Sequence, residues 1–204
     1  IQLAEETGLI VPIGMWAIDA ACRQLASWAG DAAHADLTLS VNVSVRQFRH
    51  EQFVDHVLEV VRRHHVNPRR LTLELTESLL VDNVDEVILK MKTLKAAGVS
   101  FSLDDFGTGY SSLAYLQRFP FDTLKIDKSL IRPDQRGTRP IILRSIVQMG
   151  HDLGMEIVAE GVETESDAVE MAQLGCEFAQ GFAFGHPMSA ADARKLVGAA
   201  AEAA

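Results

Sequence analysis

Asn42, Glu74, Asp104, Lys125, Asp127 and Glu160 each stand at or near the C-terminal end of a short, alternately apolar run, and Gln180 lies in a further one. Carboxylates gathered at one place repel each other and are driven to protonate. Divalent cations remove that conflict. Carboxylate and amide oxygens are hard ligands, suited to Mg²⁺, Mn²⁺ or Ca²⁺ rather than zinc. Two such ions about 3.5–4 Å apart, bridged by one carboxylate, form an arrangement that hydrolyses phosphodiesters. Singly, each residue has a plainer reading: an Asp as a cap or turn former, Glu74 as a salt-bridge partner, Lys125 as the group that neutralises Asp127. Recurrence at one end of six strands favours a site, with a structural ion-pair network as the alternative.

The elements that must position these groups follow from periodicity. Six runs read as strands: 37–44, 71–76, 99–105, 123–127, 156–160 and 176–182. Between them lie helical patterns. Phe53, Val57 and Val61 form one stripe; Val84, Val87, Ile88, Met91 and Leu94 form the next, before Gly98. Ile142, Ile146, Met149 and Leu153 precede Gly154. A helix over 165–174 stops at Gly175, an alanine-rich one starts near Ser189, and Ile13, Ala17, Ala21, Leu25 and Trp28 mark one ahead of the first strand. Strands alternating with helices imply parallel βαβ units, hence an α/β fold. Thr38, Ser40 and Asn42 share one strand face; so do Thr72, Glu74 and Thr76, then Ser100, Ser102 and Asp104, then Thr123, Lys125 and Asp127. The interior strands of a doubly wound sheet are apolar on both faces. A polar face repeated over four strands therefore favours a (β/α)8 TIM-like barrel, with its site at the C-terminal ends of the strands.

Composition excludes other classes. The net charge of −9 argues against a nucleic-acid polymer, whose binding domains usually show a basic face. No apolar run reaches the 18–20 residues, roughly, of a membrane span; 9–21 is interrupted by Pro12, Gly14 and Asp19. Two cysteines make no disulfide framework and suit a reducing, cytoplasmic location. Asp105-Phe106-Gly107 matches a kinase tripeptide without its companion motifs, and no His-Glu-x-x-His occurs.

The ordered segments Leu3-Ala4-Glu5-Glu6-Thr7-Gly8, Val41-Asn42-Val43-Ser44, Glu74-Leu75-Thr76-Glu77-Ser78, Asp104-Asp105-Phe106-Gly107-Thr108-Gly109-Tyr110-Ser111-Ser112-Leu113, Lys125-Ile126-Asp127, Ala159-Glu160-Gly161-Val162-Glu163 and Gln180-Gly181-Phe182 carry a resemblance. Together they resemble the EAL-domain cyclic-di-GMP phosphodiesterases of bacteria. The resemblance implies hydrolysis of cyclic di-GMP to linear pGpG with two ions, Mg²⁺ or Mn²⁺. It implies metal ligands Asn42, Glu74, Asp104, Asp105, Asp127 and Glu160, with Asp104 bridging. Lys125 and Glu160 would serve the attacking water, and Glu77 would brace the loop 105–112, which couples dimerisation to activity in the family. Gln180, Glu163, Ser44 and Gln47 would bind substrate. A homodimer and regulatory domains elsewhere in the parent protein are further implications.

Two departures accompany the match. His186-Pro187 stands where the family has Lys-Pro, and the Glu-Ala-Leu signature, upstream of the 3–8 segment in the family, is not in these residues. The expectation is one EAL-type domain over 1–204, N-terminally truncated, with about six of eight strands and little activity of its own. Two other readings compete with the phosphodiesterase. A degenerate domain would sense cyclic di-GMP without cleaving it. A nuclease would share the two-metal chemistry, against which the acidic surface argues.

Overall fold

Six strands form one sheet whose order follows the chain, β1-β2-β3-β4-β5-β6. They are β1 (Leu39–Asn42), β2 (Leu71–Thr76), β3 (Ser100–Phe106), β4 (Thr123–Ile126), β5 (Glu156–Glu160) and β6 (Phe178–Gln180). The pairings β1·β2, β3·β4, β4·β5 and β5·β6 are parallel. A doubly wound sheet reverses its strand order at a switch point. Here the order never reverses, which is the succession of a (β/α) barrel and bears out the expected α/β class. This computed structural model describes residues 1–80, 83–108, 116–131 and 139–202.

The helices are α1 (Gln2–Thr7), α2 (Ile10–Trp28), α3 (Val45–Arg49), α4 (Phe53–Arg63), α5 (Val84–Ala96), α6 (Lys128–Ile131), α7 (Arg139–Asp152), α8 (Glu165–Leu174) and α9 (Ala190–Glu202). The anticipated stops at Gly98, Gly154 and Gly175 have φ of +104°, +77° and +101°, the left-handed conformation that ends a helix. Thr164 starts α8 with a reciprocal capping box, its side chain accepting from the Asp167 N–H while Asp167 accepts from the Thr164 N–H. No described helix is long and apolar enough to cross a membrane.

The chain folds as two compact units. The first comprises Ile1–Glu74, Leu89–Ser100 and Pro187–Ala204. Its α2 buries Ile10, Gly14, Ile18, Cys22, Leu25 and Trp28 on one stripe. Pro12 is tolerated because the first-turn amides have no intrahelical acceptor. Helix α4 buries the expected Phe53, Val57 and Val61, with Val60 beside them. The Phe48 and Phe53 rings pack with centroids 5.0 Å apart. Gly14 lets α2 close on Gln47, since a Cβ there would sit 1.9 Å from the Gln47 Oε1.

The second unit comprises Leu75–Ile88 and Phe101–His186. Phe101, Leu103, Leu124, Ile126, Ile157 and Ala159 form its fully buried apolar layer. The polar layer is buried as well: Ser102, Asp104 and Lys125 are each under 10% exposed.

Several strand ends differ from the periodicity. The run 37–44 yields only β1, because the Leu37 N–H bonds to the His34 carbonyl in a turn and Ser44 caps α3. The run 176–182 yields only β6, because the Cys176 N–H returns to Met171 at the end of α8. Strand β3 extends to Phe106 through an irregularity between Leu103 and Phe106.

Candidate active site

Register sets which side chains share a face. In the first unit Asn42 lies opposite Glu74 across β1 and β2, as period-two reasoning requires. In the second, Thr123 pairs with Ser102 and with Glu156, Lys125 with Val158, and Glu160 with Gln180. Ser102, Asp104, Lys125, Glu160 and Gln180 therefore line one side of the β3–β6 sheet.

At the centre of that side Lys125 is 5% exposed. Its Nζ lies 2.8 Å from the Asp104 Oδ1 and 2.7 Å from the Glu160 Oε1. Burying an ammonium is costly unless it is paired, and two carboxylates meet that requirement here. It stands with Asp104 and Glu160, rather than only neutralising Asp127.

Asp105 joins them against the alternation. Strict period two would send its side chain to the face of Phe101 and Leu103. The register shift in β3, with an Asp105 φ of +55°, turns it instead. One carboxylate oxygen each from Asp104, Asp105 and Glu160 then lies within 4.8 Å of the other two. These three hard-oxygen donors are what a divalent cation takes, and a buried cationic lysine does not fully neutralise them. The electrostatics agree: desolvation, then the charges of Asp104 and Asp127, hold the Asp105 carboxyl above its ordinary value, with Lys125 opposing them. For Asp127, burial pushes its carboxyl up, but hydrogen bonds from the Ser129 side chain and from the Ser129 and Lys128 amides outweigh it, and the net direction is down. The Ser129 N–H donates to the Asp127 Oδ1 at 2.8 Å, so Asp127 also anchors the start of α6.

Above the cluster opens a cavity of about 350 Å³. Asp105, Asp127 and Glu160 line it, as do Glu163 and Gln180 of the expected substrate set. Lys128 and Phe182 also line it, and sequence reasoning assigned them no part. Lys128 had a signal in following Lys125-Ile126-Asp127 directly. Phe182 had one in ending the last matched motif, and it is 59% exposed, unusual for a phenyl ring.

The other predicted residues have local partners. Glu77 is buried, and its Oε1 accepts the Gly107 N–H at 2.7 Å, tying the 77–80 turn to the end of β3. Residues 109–115 of the loop Glu77 is expected to brace lie outside the described residues. Ser44 is the N-cap of α3, its hydroxyl accepting from the Gln47 N–H at 3.1 Å. The Gln47 amide is buried within the first unit, beside Gly14 and Met15.

Known proteins resemble this chain closely. The EAL domain model matches residues 1–187. The bifunctional diguanylate cyclase/cyclic di-GMP phosphodiesterase MucR of Pseudomonas aeruginosa is 46% identical over 191 residues, 93% of this chain and 28% of that protein. A solved PaMucR phosphodiesterase in complex with c-di-GMP superposes with a TM-score of 0.88 at 45% identity, over 94% of this chain and 78% of that one. A manganese/cy-diGMP complex of Klebsiella pneumoniae BlrP1 superposes at 0.70 and 32% identity, over 81% and 42%. The chain spans about a quarter of the length of the curated relatives it matches. With the family model matched along most of its length, and its motifs set on the strand ends of a matching fold, the chain belongs to the EAL domain family.

Proposed function

We propose that this chain is the catalytic domain of a phosphodiesterase that hydrolyses cyclic di-GMP to linear pGpG with bound Mg²⁺ or Mn²⁺. The observation that carries the reading is the convergence of Asp104, Asp105 and Glu160 oxygens within 4.8 Å around the buried Lys125. Family membership and the c-di-GMP and manganese complexes of its relatives support it.

Asp104, Asp105 and Glu160 would hold the metal, with Asp127 beside them. Asn42 and Glu74, partners across β1 and β2, are assigned to it by family resemblance. Bound there, divalent cations lower the pKa of water and neutralise charge on the phosphoryl oxygens. Lys125 holds the Asp104 and Glu160 carboxylates in place through its two ion pairs, and its positive charge favours the anion that develops on phosphate. Glu160, half-buried beside the cavity, is the general base for the attacking water. Gln180 and Glu163 contact substrate from the cavity wall. Ser44 and Gln47 serve capping and packing in the first unit. The reading also takes 1–204 as one functional domain of a cytoplasmic, homodimeric protein with regulatory domains elsewhere.

The test is incubation of the full-length protein with cyclic di-GMP and Mg²⁺ or Mn²⁺, following pGpG by chromatography. Release well above a chelator control is the expected result. Tight binding by calorimetry with no pGpG would replace this reading with a sensor that binds without cleaving.

A further inference from the structure

Resting on the phosphodiesterase reading, we propose that Lys128 binds the second phosphate of the cyclic dinucleotide, the one that is not cut. Four carboxylates, Asp105, Asp127, Glu160 and Glu163, line the cavity, and Lys128 is the one cation among its lining residues. Lys125 lies buried beneath them, committed to Asp104 and Glu160. A cyclic dinucleotide brings two phosphodiester anions. At the attacked one, Asp104, Asp105 and Glu160 would hold the divalent cations that offset its charge. The other would face carboxylates unless a fixed positive charge stood on the wall.

Lys128 is built to supply that charge. It is the first residue of α6, set in place by the Asp127 carboxylate that caps the same turn. Its side chain is exposed and makes no salt bridge among the described residues, though its charge helps hold the Asp127 carboxyl down. Its stem runs directly over Gly161, also a cavity residue: a Cβ on Gly161 would fall 2.4 Å from the Lys128 Cβ and 3.4 Å from its Cδ. Gly161 has a φ of +66°, so space and backbone conformation both exclude a side chain there. The missing side chain is what lets the lysine lie along the wall.

A cation on the uncut phosphate contacts it equally in the ground and transition states. Its removal therefore raises KM and leaves kcat nearly unchanged. In the full-length protein, Lys128→Gln is expected to raise KM for cyclic di-GMP roughly tenfold, with kcat within about twofold. Lys128→Arg restores KM, and the Gln variant shows a shallower dependence of KM on salt. Calorimetry with metal present on a Glu160→Gln background, where nothing turns over, shows the same loss of affinity. Unchanged KM and Kd in Lys128→Gln, or a fall in kcat at constant KM, overturns the proposal. If the wild type binds cyclic di-GMP but releases no pGpG, hydrolysis is refuted while the calorimetric comparison still decides the role of Lys128.

Discussion

Asp105 carries two unfavourable features at once: a left-handed backbone and a carboxylate pressed against other carboxylates. Asparagine tolerates that backbone about as well and brings no charge. A carboxyl raised above its ordinary 3.8 disfavours the folded, ionised protein: Asp105's own contribution to the stability of the metal-free molecule is greatest below that value and is lost as pH rises through the raised one. Asp105→Asn should therefore raise the melting temperature of the metal-free protein at neutral pH by about 1–4 °C, while weakening binding of Mn²⁺ measured by calorimetry. A lower melting temperature without metal would contradict the repulsion argued here. This residue also marks where the sequence stops being legible. Glu74, Asp104, Lys125, Glu160 and Gln180 could be placed because strands alternate. Asp105 could be placed in the cluster only through family resemblance, since a one-residue irregularity inverts its face.

At the scale of elements, Asp19 on α2 is the joint with the end of α4. It accepts from Arg23 at 2.5 Å, Arg63 at 2.6 Å and His64 at 2.9 Å. Hydrogen bonds from His64 and then Arg23 lower its carboxyl to about 2. A lowered value means stability that is present above 3.8 and lost as pH falls through about 2. Because the group is partly exposed, Asp19→Asn should cost no more than about 1 kcal/mol near neutral pH. In denaturant titrations the difference from wild type should close between pH 4 and 2, roughly, and a gap that stayed constant with pH would rule this account out. The long helices were readable because their apolar stripes repeat over several turns. Helices α3 and α6 span five and four residues, too few for a period to show. They depend on the Ser44 and Asp127 caps, local chemistry that a periodicity search does not see.

For the whole molecule, the net charge of −9 is partly concentrated in a cluster poised to take divalent cations. Mg²⁺ or Mn²⁺ at about 100 times its Kd should add about 2.7 kcal/mol of stability, a rise in melting temperature of roughly 5–10 °C for a chain of this size. Sodium chloride at equal ionic strength should not reproduce it, and an equal shift in both salts would reduce the effect to screening. The strand order was legible at this scale because short, regular alternation of strands and helices admits few topologies. The bond from the Gly107 amide to Glu77 gives the molecule an internal reporter. A glycine N–H held by a buried carboxylate resonates apart from other glycines and exchanges slowly with deuterated solvent. One cross-peak in a nitrogen-15 spectrum would thus report whether the end of β3 remains docked on the 77–80 turn, with no ligand added.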